Sequence, residues 1–197
     1  KVKNTLKFLT YIAKTFRKSI DTNIIAITGS CGKTTLKELL GNVLSKISKV
    51  SISPKSYNNK FGVPLSLFNL KKNDEFGILE VGMDKKGEID YLSKIIEPDV
   101  GVITNINYAH AKNFKNIKQI ALAKSEIINN IKPNGYVVLN ADDSFFQLHK
   151  KIAKEKNIKV VSFGVKSQKA DLKLINIKSF GKKFRININL NNKKKQF

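Results

Sequence analysis

The chain has 197 residues, of which 41% are hydrophobic, and a formal net charge of +22. This composition can bury a sizeable core, so it excludes a globally disordered protein and fits one large domain. The charge comes from lysines spread along the whole chain, with only Arg17 and Arg185 as arginines. Since nucleic-acid readout usually recruits arginine, we expect no nucleic-acid partner and a surface that attracts small polyanionic substrates.

The cysteine content and the chain ends bear on the compartment. Cys31 is the single cysteine, which excludes an internal disulfide and is typical of a reducing compartment, so we expect a cytoplasmic location. No apolar run approaches the roughly 18 residues of a membrane-spanning helix. Residues 1–17 lack the apolar core and cleavage site of a signal peptide. The chain begins at Lys1 and ends in an Asn/Lys-rich run, which favours a piece of a longer protein.

The first predicted elements are a helix and a buried strand that runs into a glycine-rich loop. Apolar residues recur at helical spacing over 3–18. Residues 24–27 form an apolar run, and 28–35 read Thr-Gly-Ser-Cys-Gly-Lys-Thr-Thr. After the loop, apolar spacing predicts a second helix to about Lys46. This order of strand, glycine loop and helix is typical of phosphate-binding sites.

The loop itself predicts binding of a nucleoside triphosphate. Glycines allow the backbone to wrap around a phosphate, and successive N–H groups then point at the anion. Lys33 is expected to reach the β- and γ-phosphates, and the Thr34 hydroxyl to bind Mg²⁺. Gly29 stands three residues before Gly32, closer than the usual pattern, so a glycine turn with a chance lysine is the alternative. The predicted nucleotide contacts are Gly29, Ser30, Cys31, Gly32, Lys33, Thr34 and Thr35.

The next stretch contains two polar segments beside apolar runs. A short strand over 49–53 ends at Pro54, and the segment 56–64 (Ser-Tyr-Asn-Asn-Lys-Phe-Gly-Val-Pro) has the composition of an ordinary connecting turn before a short helix. Residues 76–82 read as a buried strand that carries Glu80 near its end. Phosphate-loop enzymes hold their metal with an acidic residue at such a place, while the alternative is a capping or solvated glutamate.

The remaining elements alternate and then change character. Helices are predicted over 87–96, about 117–130 and 144–156, and strands over 100–104, 135–140 and 158–163. This alternation predicts an α/β fold: a mostly parallel, phosphate-loop type of sheet flanked by helices, with ligands at the carboxyl ends of its strands. Alternating residues over 170–178 and 183–190 predict a C-terminal antiparallel hairpin. Lys124 falls on the apolar stripe of its helix, and periodicity alone predicts that it extends to water.

Six motifs in order resemble the ATP-binding central domain of the Mur ligases, over about residues 5–190. They are Ile-Thr-Gly-Ser-x-Gly-Lys-Thr-Thr at 27–35, Tyr-Asn-Asn-x-x-Gly-Val-Pro at 57–64, Leu-Glu-Val-Gly-Met at 79–83, Gly-Glu-Ile at 87–89, Ile-Thr-Asn-Ile-x-x-Ala-His at 103–110 and Ala-Lys-Ser-Glu-Ile at 123–127. The short glycine spacing is the form this family uses. The resemblance implies that residues 1–20 are a leading helix or linker from a missing N-terminal domain. Residues 21–197 would be the central domain, truncated at its C-terminal side, without the C-terminal ligase domain.

The resemblance also implies an activity in peptidoglycan precursor synthesis. The loop at 57–64 is most like the branch that adds D-alanyl-D-alanine to a UDP-linked muramyl tripeptide through an acyl phosphate. The implied cofactors are ATP and two Mg²⁺ ions, and the implied partners are those two substrates, with the intact protein a monomer and this piece inactive. A ligase that adds the third residue and a folylpolyglutamate synthase are the enzyme alternatives. An ATP-binding module and a basic nucleic-acid binder are the alternatives from other classes.

Site residues are carried over from the family motifs. Thr34 and Glu80 would hold the first Mg²⁺, and His110 would help at the second. Lys124 matches the lysine that the family carries as a carbamate, which replaces the expectation that it extends to water. Together the implied catalytic residues are Lys33, His110 and Lys124, and the implied metal ligands are Thr34, Glu80, His110 and Lys124. Asn58 and Asn59 are implied on the substrate side, and Asn105 and Asn107 near the nucleotide.

Overall fold

In the computed structural model, which describes residues 1–108, 113–181 and 183–197, nine strands form one sheet in the order β2-β3-β1-β4-β5-β6-β7-β8-β9. Pairing is parallel from β2 through β7 and antiparallel from β7 to β9. The strands are β1 (Asn23–Thr28), β2 (Val50–Ile52), β3 (Phe76–Glu80), β4 (Val100–Ile103), β5 (Tyr136–Asn140), β6 (Lys159–Gly164), β7 (Leu172–Phe180), β8 (Lys183–Leu190) and β9 (Lys193–Gln196). The predicted α/β class is confirmed.

The helices flank the parallel part of this sheet. They are α1 (Thr5–Lys18), α2 (Lys33–Leu44), α3 (Gly62–Phe68), α4 (Glu88–Ile96), α5 (Ile117–Ser125) and α6 (Phe146–Glu155). The helix predicted over about 117–130 changes to a 3₁₀ helix at Glu126–Asn130. The predicted C-terminal hairpin gains a third strand, β9, which pairs with β8. Its Lys-Lys-Lys-Gln sequence lacks apolar alternation, so no pattern predicted it.

The two faces of the sheet are covered differently. Strand β1 alternates, so that Ile24 and Ala26 point to one face while Ile25 and Ile27 point to the other. The first face packs against buried residues of α1, α3, α4, α5 and α6. On the second face, α2 lays its leucines at 36, 40 and 44 over the strands. Because burial on both faces requires continuous apolar strands, the uninterrupted apolar run of β1 is explained.

Helix α1 is fastened to the sheet by a buried arginine. Arg17 is 2% exposed, and its Nε donates to the Ile96 carbonyl at 2.6 Å while Nη2 donates to Asp99 Oδ2 at 3.2 Å. The same Asp99 oxygen accepts the backbone N–H of Ile24 at 2.8 Å. Burial lowers the pKa of the Arg17 guanidinium, against the attraction of Asp99 that raises it. The arginine thus joins α1, the end of α4 and the start of β1.

The register of the parallel strands brings their carboxyl ends together. Ile27 of β1 lies opposite Glu80 of β3, and Thr28 lies opposite Ile103 of β4. Loops that follow these strands therefore meet at one edge of the sheet, where ligands bind in open α/β folds. Within the described ranges, no helix has the length and apolar character needed to cross a bilayer.

Candidate active site

The glycine loop between β1 and α2 is shaped by two residues with positive φ. Gly29 has φ +147° and Gly32 has φ +79°. A Cβ added at Gly29 would lie 1.8 Å from the Thr104 hydroxyl oxygen, whereas one added at Gly32 would meet no atom of the described residues within 4 Å. Gly32 is also the N-cap of α2 and has no side chain to occupy the first amides of the helix. Those amides and the helix dipole favour an anion at this end.

These two glycines yield a matched pair of predictions. Gly29→Ala is expected to abolish nucleotide binding and to destabilise the fold by about 2–4 kcal/mol, because the methyl group must displace Thr104, the first residue after the neighbouring strand β4. Gly32→Ala is expected to cost only about 1 kcal/mol, from its left-handed backbone alone. Urea unfolding and ADP titration of both variants check this. Equal losses for the two variants would contradict the assigned role of the Thr104 contact.

A second loop, residues 104–107 after β4, holds the glycine loop through polar contacts. The Asn105 side chain brackets Cys31: its Oδ1 accepts the Cys31 N–H and its Nδ2 donates to the Cys31 carbonyl, both at 3.1 Å. Ser30 Oγ donates to the Asn107 carbonyl at 3.0 Å and accepts the Asn107 N–H at 2.8 Å. Both asparagines thus contact the loop itself, and the Cys31 amide that was expected to face phosphate donates to Asn105 in this conformation.

The sequence interpretation missed the residue that fixes this second loop. Asp143, in the turn after β5, accepts the Ile106 N–H at 2.7 Å through Oδ2 and the Phe145 N–H at 2.8 Å through Oδ1. The available signal was the Asn-Ala-Asp-Asp run that follows the strand at 140–143. Because Ile106 lies between Asn105 and Asn107, Asp143 supports both contacts with the glycine loop.

Glu80 forms the carboxylate of the site. It is 2% exposed, so the alternative of a solvated glutamate is wrong. Thr34 Oγ1 donates to its Oε2 at 2.7 Å, and Asn58 Nδ2 donates to its Oε1 at 2.8 Å. Both donors are neutral, so the carboxylate charge stays available to a cation. Hydroxyl and carboxylate oxygens are the ligands that Mg²⁺ prefers, and Thr34 and Glu80 therefore fit this metal.

Two lysines converge on the carbonyl of Gly29. Lys33 Nζ donates to it at 3.0 Å and Lys124 Nζ at 2.9 Å. Lys124 is only 2% exposed, so the prediction from periodicity that it extends to water is wrong. Helix α5 packs into the core, and the Lys124 side chain extends from it to the glycine loop at the edge of the cleft. Burial, and then the charge of Lys33, lower the pKa of Lys124 to about 7.

A cleft of about 860 Å³ opens beside these groups. Asn58 and Asn59 both line it, although Asn59 Oδ1 also accepts the N–H groups of Phe61 and Gly62, at 3.0 Å each, at the start of α3. Lysines outnumber acidic residues in the lining, which suits an anionic ligand. The lysines are Lys7, Lys33, Lys60, Lys85, Lys86 and Lys124. Thr35 is exposed at the start of α2, and His110 lies outside the described residues.

One wall of the cleft is held by Glu126, which lies in the Ala-Lys-Ser-Glu-Ile motif but was assigned no role from it. Glu126 accepts the Gly87 N–H at 2.9 Å through Oε1 and the Asp90 N–H at 3.1 Å through Oε2. Burial raises its pKa, against the two backbone donors that lower it. Glu126 lies two residues after Lys124, so the segment that buries the lysine also caps α4.

The known proteins that this chain resembles in sequence and in structure include Mur ligases. Residues 27–197 match the Mur ligase middle domain. A UDP-N-acetylmuramoyl-tripeptide–D-alanyl-D-alanine ligase of Buchnera aphidicola subsp. Acyrthosiphon pisum is 41% identical over 168 residues, covering 85% of this chain and 36% of the relative. The crystal structure of MurF from Acinetobacter baumannii is 32% identical with a TM-score of 0.90, and covers 99% of this chain and 42% of that one.

A solved complex with a nucleotide is also similar. MurF ligase from Thermotoga maritima in complex with ADP is 28% identical with a TM-score of 0.87, over 99% of this chain and 44% of that one. This chain therefore spans about two fifths of the length of the proteins it matches.

Proposed function

Because this chain belongs to the Mur ligase family through its middle domain, we propose that the intact protein is an ATP-dependent ligase of peptidoglycan precursor synthesis. It adds D-alanyl-D-alanine to UDP-N-acetylmuramoyl-tripeptide and forms ADP and phosphate. The observation that carries the proposal is one cluster: the Thr34–Glu80 pair lies beside the glycine loop, where Lys33 and Lys124 meet at the Gly29 carbonyl. This chain supplies the ATP-binding part of the site, and residues 1–20 form the helix or linker that precedes this domain.

The residues of the loop serve phosphoryl transfer by positioning and charge. Such a transfer needs little covalent chemistry from the protein, so catalysis rests on oriented donors and charge cancellation. The amides at the start of α2 and Lys33 bind the β- and γ-phosphates, and Lys33 leaves the Gly29 carbonyl to do so. Thr34 and Glu80 hold Mg²⁺, which when bound neutralises phosphate charge.

The cleft receives the substrate carboxylate. Its lysines attract the diphosphate and carboxylates of the UDP-linked tripeptide, and Asn58 and Asn59 approach that substrate from the loop before α3. A tripeptide carboxylate oxygen attacks the γ-phosphorus, and the bond to the ADP oxygen breaks. The neutral amine of D-alanyl-D-alanine then attacks the acyl carbon; the nitrogen loses a proton to solvent, the bond from the acyl carbon to the phosphate oxygen breaks, and the amide and phosphate are left.

Lys124 is proposed to carry a carbamate. A pKa lowered to about 7 leaves a substantial neutral fraction at neutral pH, and the neutral amine forms an N–C bond with CO₂ and releases a proton. The product is an anion that carries two oxygens in the place of a buried cation. These oxygens would suit a second Mg²⁺, which His110 would help to hold. The lowered pKa and the burial of the amine support this assignment.

The test is amine-dependent phosphate release by the intact protein. With ATP, Mg²⁺ and UDP-N-acetylmuramoyl-tripeptide, we expect release only when D-alanyl-D-alanine is added, together with the coupled product in mass spectrometry. Free diaminopimelate or lysine with the muramyl dipeptide, and glutamate with a folate, serve as the alternative substrate pairs. Turnover with either pair instead would assign a sister ligase, and nucleotide binding without any turnover would favour a binding module.

A further inference from the structure

Lys37 is a fully buried lysine that the proposed reaction does not use. It lies one turn after Thr34 on α2 and has no exposed surface. Its Nζ donates to the carbonyl of Ser53 at 2.7 Å and to that of Lys55 at 2.5 Å, and lies 3.3 Å from Glu38 Oε1. An ammonium group is costly to bury without partners, so these contacts hold both the lysine and the segment it binds.

The segment that Lys37 binds leads directly to Asn58. Lys55 adopts φ +38°, a left-handed conformation that its side chain disfavours and that the bond from Lys37 to its carbonyl supports. The turn then closes locally, with the Tyr57 N–H donating to the Pro54 carbonyl at 3.0 Å. Lys37 therefore fixes the start of a tight turn that is followed directly by Asn58, whose side-chain amide contacts Glu80.

Both ends of the segment from Ser53 to Asn58 are bonded to β3 or to the loop that follows it. The Glu80 N–H donates to Ser53 Oγ at 3.2 Å, and the Gly82 N–H donates to the Asn58 carbonyl at 2.8 Å. The Asn58 side chain in turn donates to Glu80 Oε1, whose other oxygen accepts from Thr34. The contacts therefore form a closed ring. It runs from Thr34 on α2 to Glu80, then to Asn58, then back through the turn to Lys37 on α2.

We propose that Lys37 is a positioning residue for the carboxylate of Glu80. By holding the turn, it places the Asn58 amide on Oε1 and so points Oε2 at the Thr34 hydroxyl. The inference rests on the proposed function, because the Thr34–Glu80 pair is there the magnesium end of the ATP site. Loss of the Lys37 ammonium releases the turn and weakens Mg²⁺ binding, while the loop amides and Lys33 still bind the nucleotide.

The experiment compares Lys37→Met with Glu38→Gln in the intact protein. Methionine keeps the length of the stem without charge or donors, and Glu38→Gln removes only the exposed ion-pair partner. ADP binding is measured calorimetrically in EDTA and over a range of Mg²⁺ concentrations. For Lys37→Met we expect the Mg²⁺ concentration that half-maximally tightens ADP binding to rise about 10-fold, as for other groups that orient metal ligands. Affinity in EDTA should stay within about twofold, and Glu38→Gln should match wild type.

Several outcomes distinguish the possibilities. An unchanged Mg²⁺ dependence, or an equal loss of affinity in EDTA, overturns the role of Lys37. If Lys37→Met does not fold, Lys37→Gln keeps a neutral amide group that can donate to the carbonyls, and it is expected to shift the Mg²⁺ dependence in the same direction. Asn58→Ala should raise the Mg²⁺ requirement similarly, and the double variant should be no worse than either single one. Wild-type protein that binds no ADP contradicts the proposed function itself.

Discussion

Lys33→Met is expected to lower ligation by the intact protein about 10²–10³-fold, the size of effect seen when one oriented donor to a developing anion is removed. Lys33 is the cation of the glycine loop that can move onto a phosphate, because among the described residues its ammonium is held by one carbonyl, that of Gly29. The loop amides remain after the substitution, so ADP binding weakens less than turnover. Phosphate release and ADP calorimetry on the same preparation separate the two effects.

The control for this experiment is a lysine of the same region without a place in the site. Lys46→Met, just beyond the end of α2, removes equal charge from an exposed position and should leave both measurements unchanged. Turnover of Lys33→Met within threefold of wild type would contradict the assignment of Lys33. Salt-sensitive binding to duplex DNA that Lys33→Met leaves intact would instead support the alternative of a basic nucleic-acid binder.

The parts of the fold that sequence predicted are those with side-chain patterns. Apolar runs and glycine or proline breaks located β1, β3 and β4, and the alternation of elements predicted their parallel pairing. Strand β9 was not predicted because its lysines carry no apolar alternation, and its pairing with β8 rests on the main-chain ladder with one side-chain bond, from Gln196 to Asn187. The burial of Lys124 was not predicted for a related reason. Helical periodicity identifies the face of α5 on which the lysine lies, but not how much protein covers that face.

The contacts of the residues that support the site were not predicted from the sequence, for a different reason. Lys37 and Asp143 bind backbone carbonyl and amide groups of loops that are distant in the chain. Main-chain partners leave no trace in residue type, so no motif could pair these side chains with their targets. The residues that motifs did identify, Lys33, Thr34 and Glu80, are brought together because the carboxyl ends of β1 and β3 lie side by side.

Lys124 should make the stability of the protein depend on pH in a way that Lys124→Met removes. Its pKa is about 7 in the folded protein and 10.5 ordinarily. Between these values the unfolded chain binds the additional proton, so the free energy of unfolding of wild type rises with pH relative to the variant. The slope approaches about 1.4 kcal/mol per pH unit for one full proton. Below pH 7 both states carry the proton, and the difference between the two proteins becomes constant.

Urea unfolding of the two proteins from pH 6 to 10 in CO₂-free buffer measures this slope, with Lys118→Met, an exposed lysine of the same helix, as the control. Subtracting the unfolding free energy of the variant from that of wild type removes the contribution of the other lysines, because they titrate alike in both proteins. Parallel curves for wild type and Lys124→Met between pH 7 and 10 would show that Lys124 keeps an ordinary pKa. Bicarbonate added at pH 8 should then stabilise wild type and Lys118→Met but not Lys124→Met, because only a neutral amine at position 124 can be converted into a carbamate that the folded site retains.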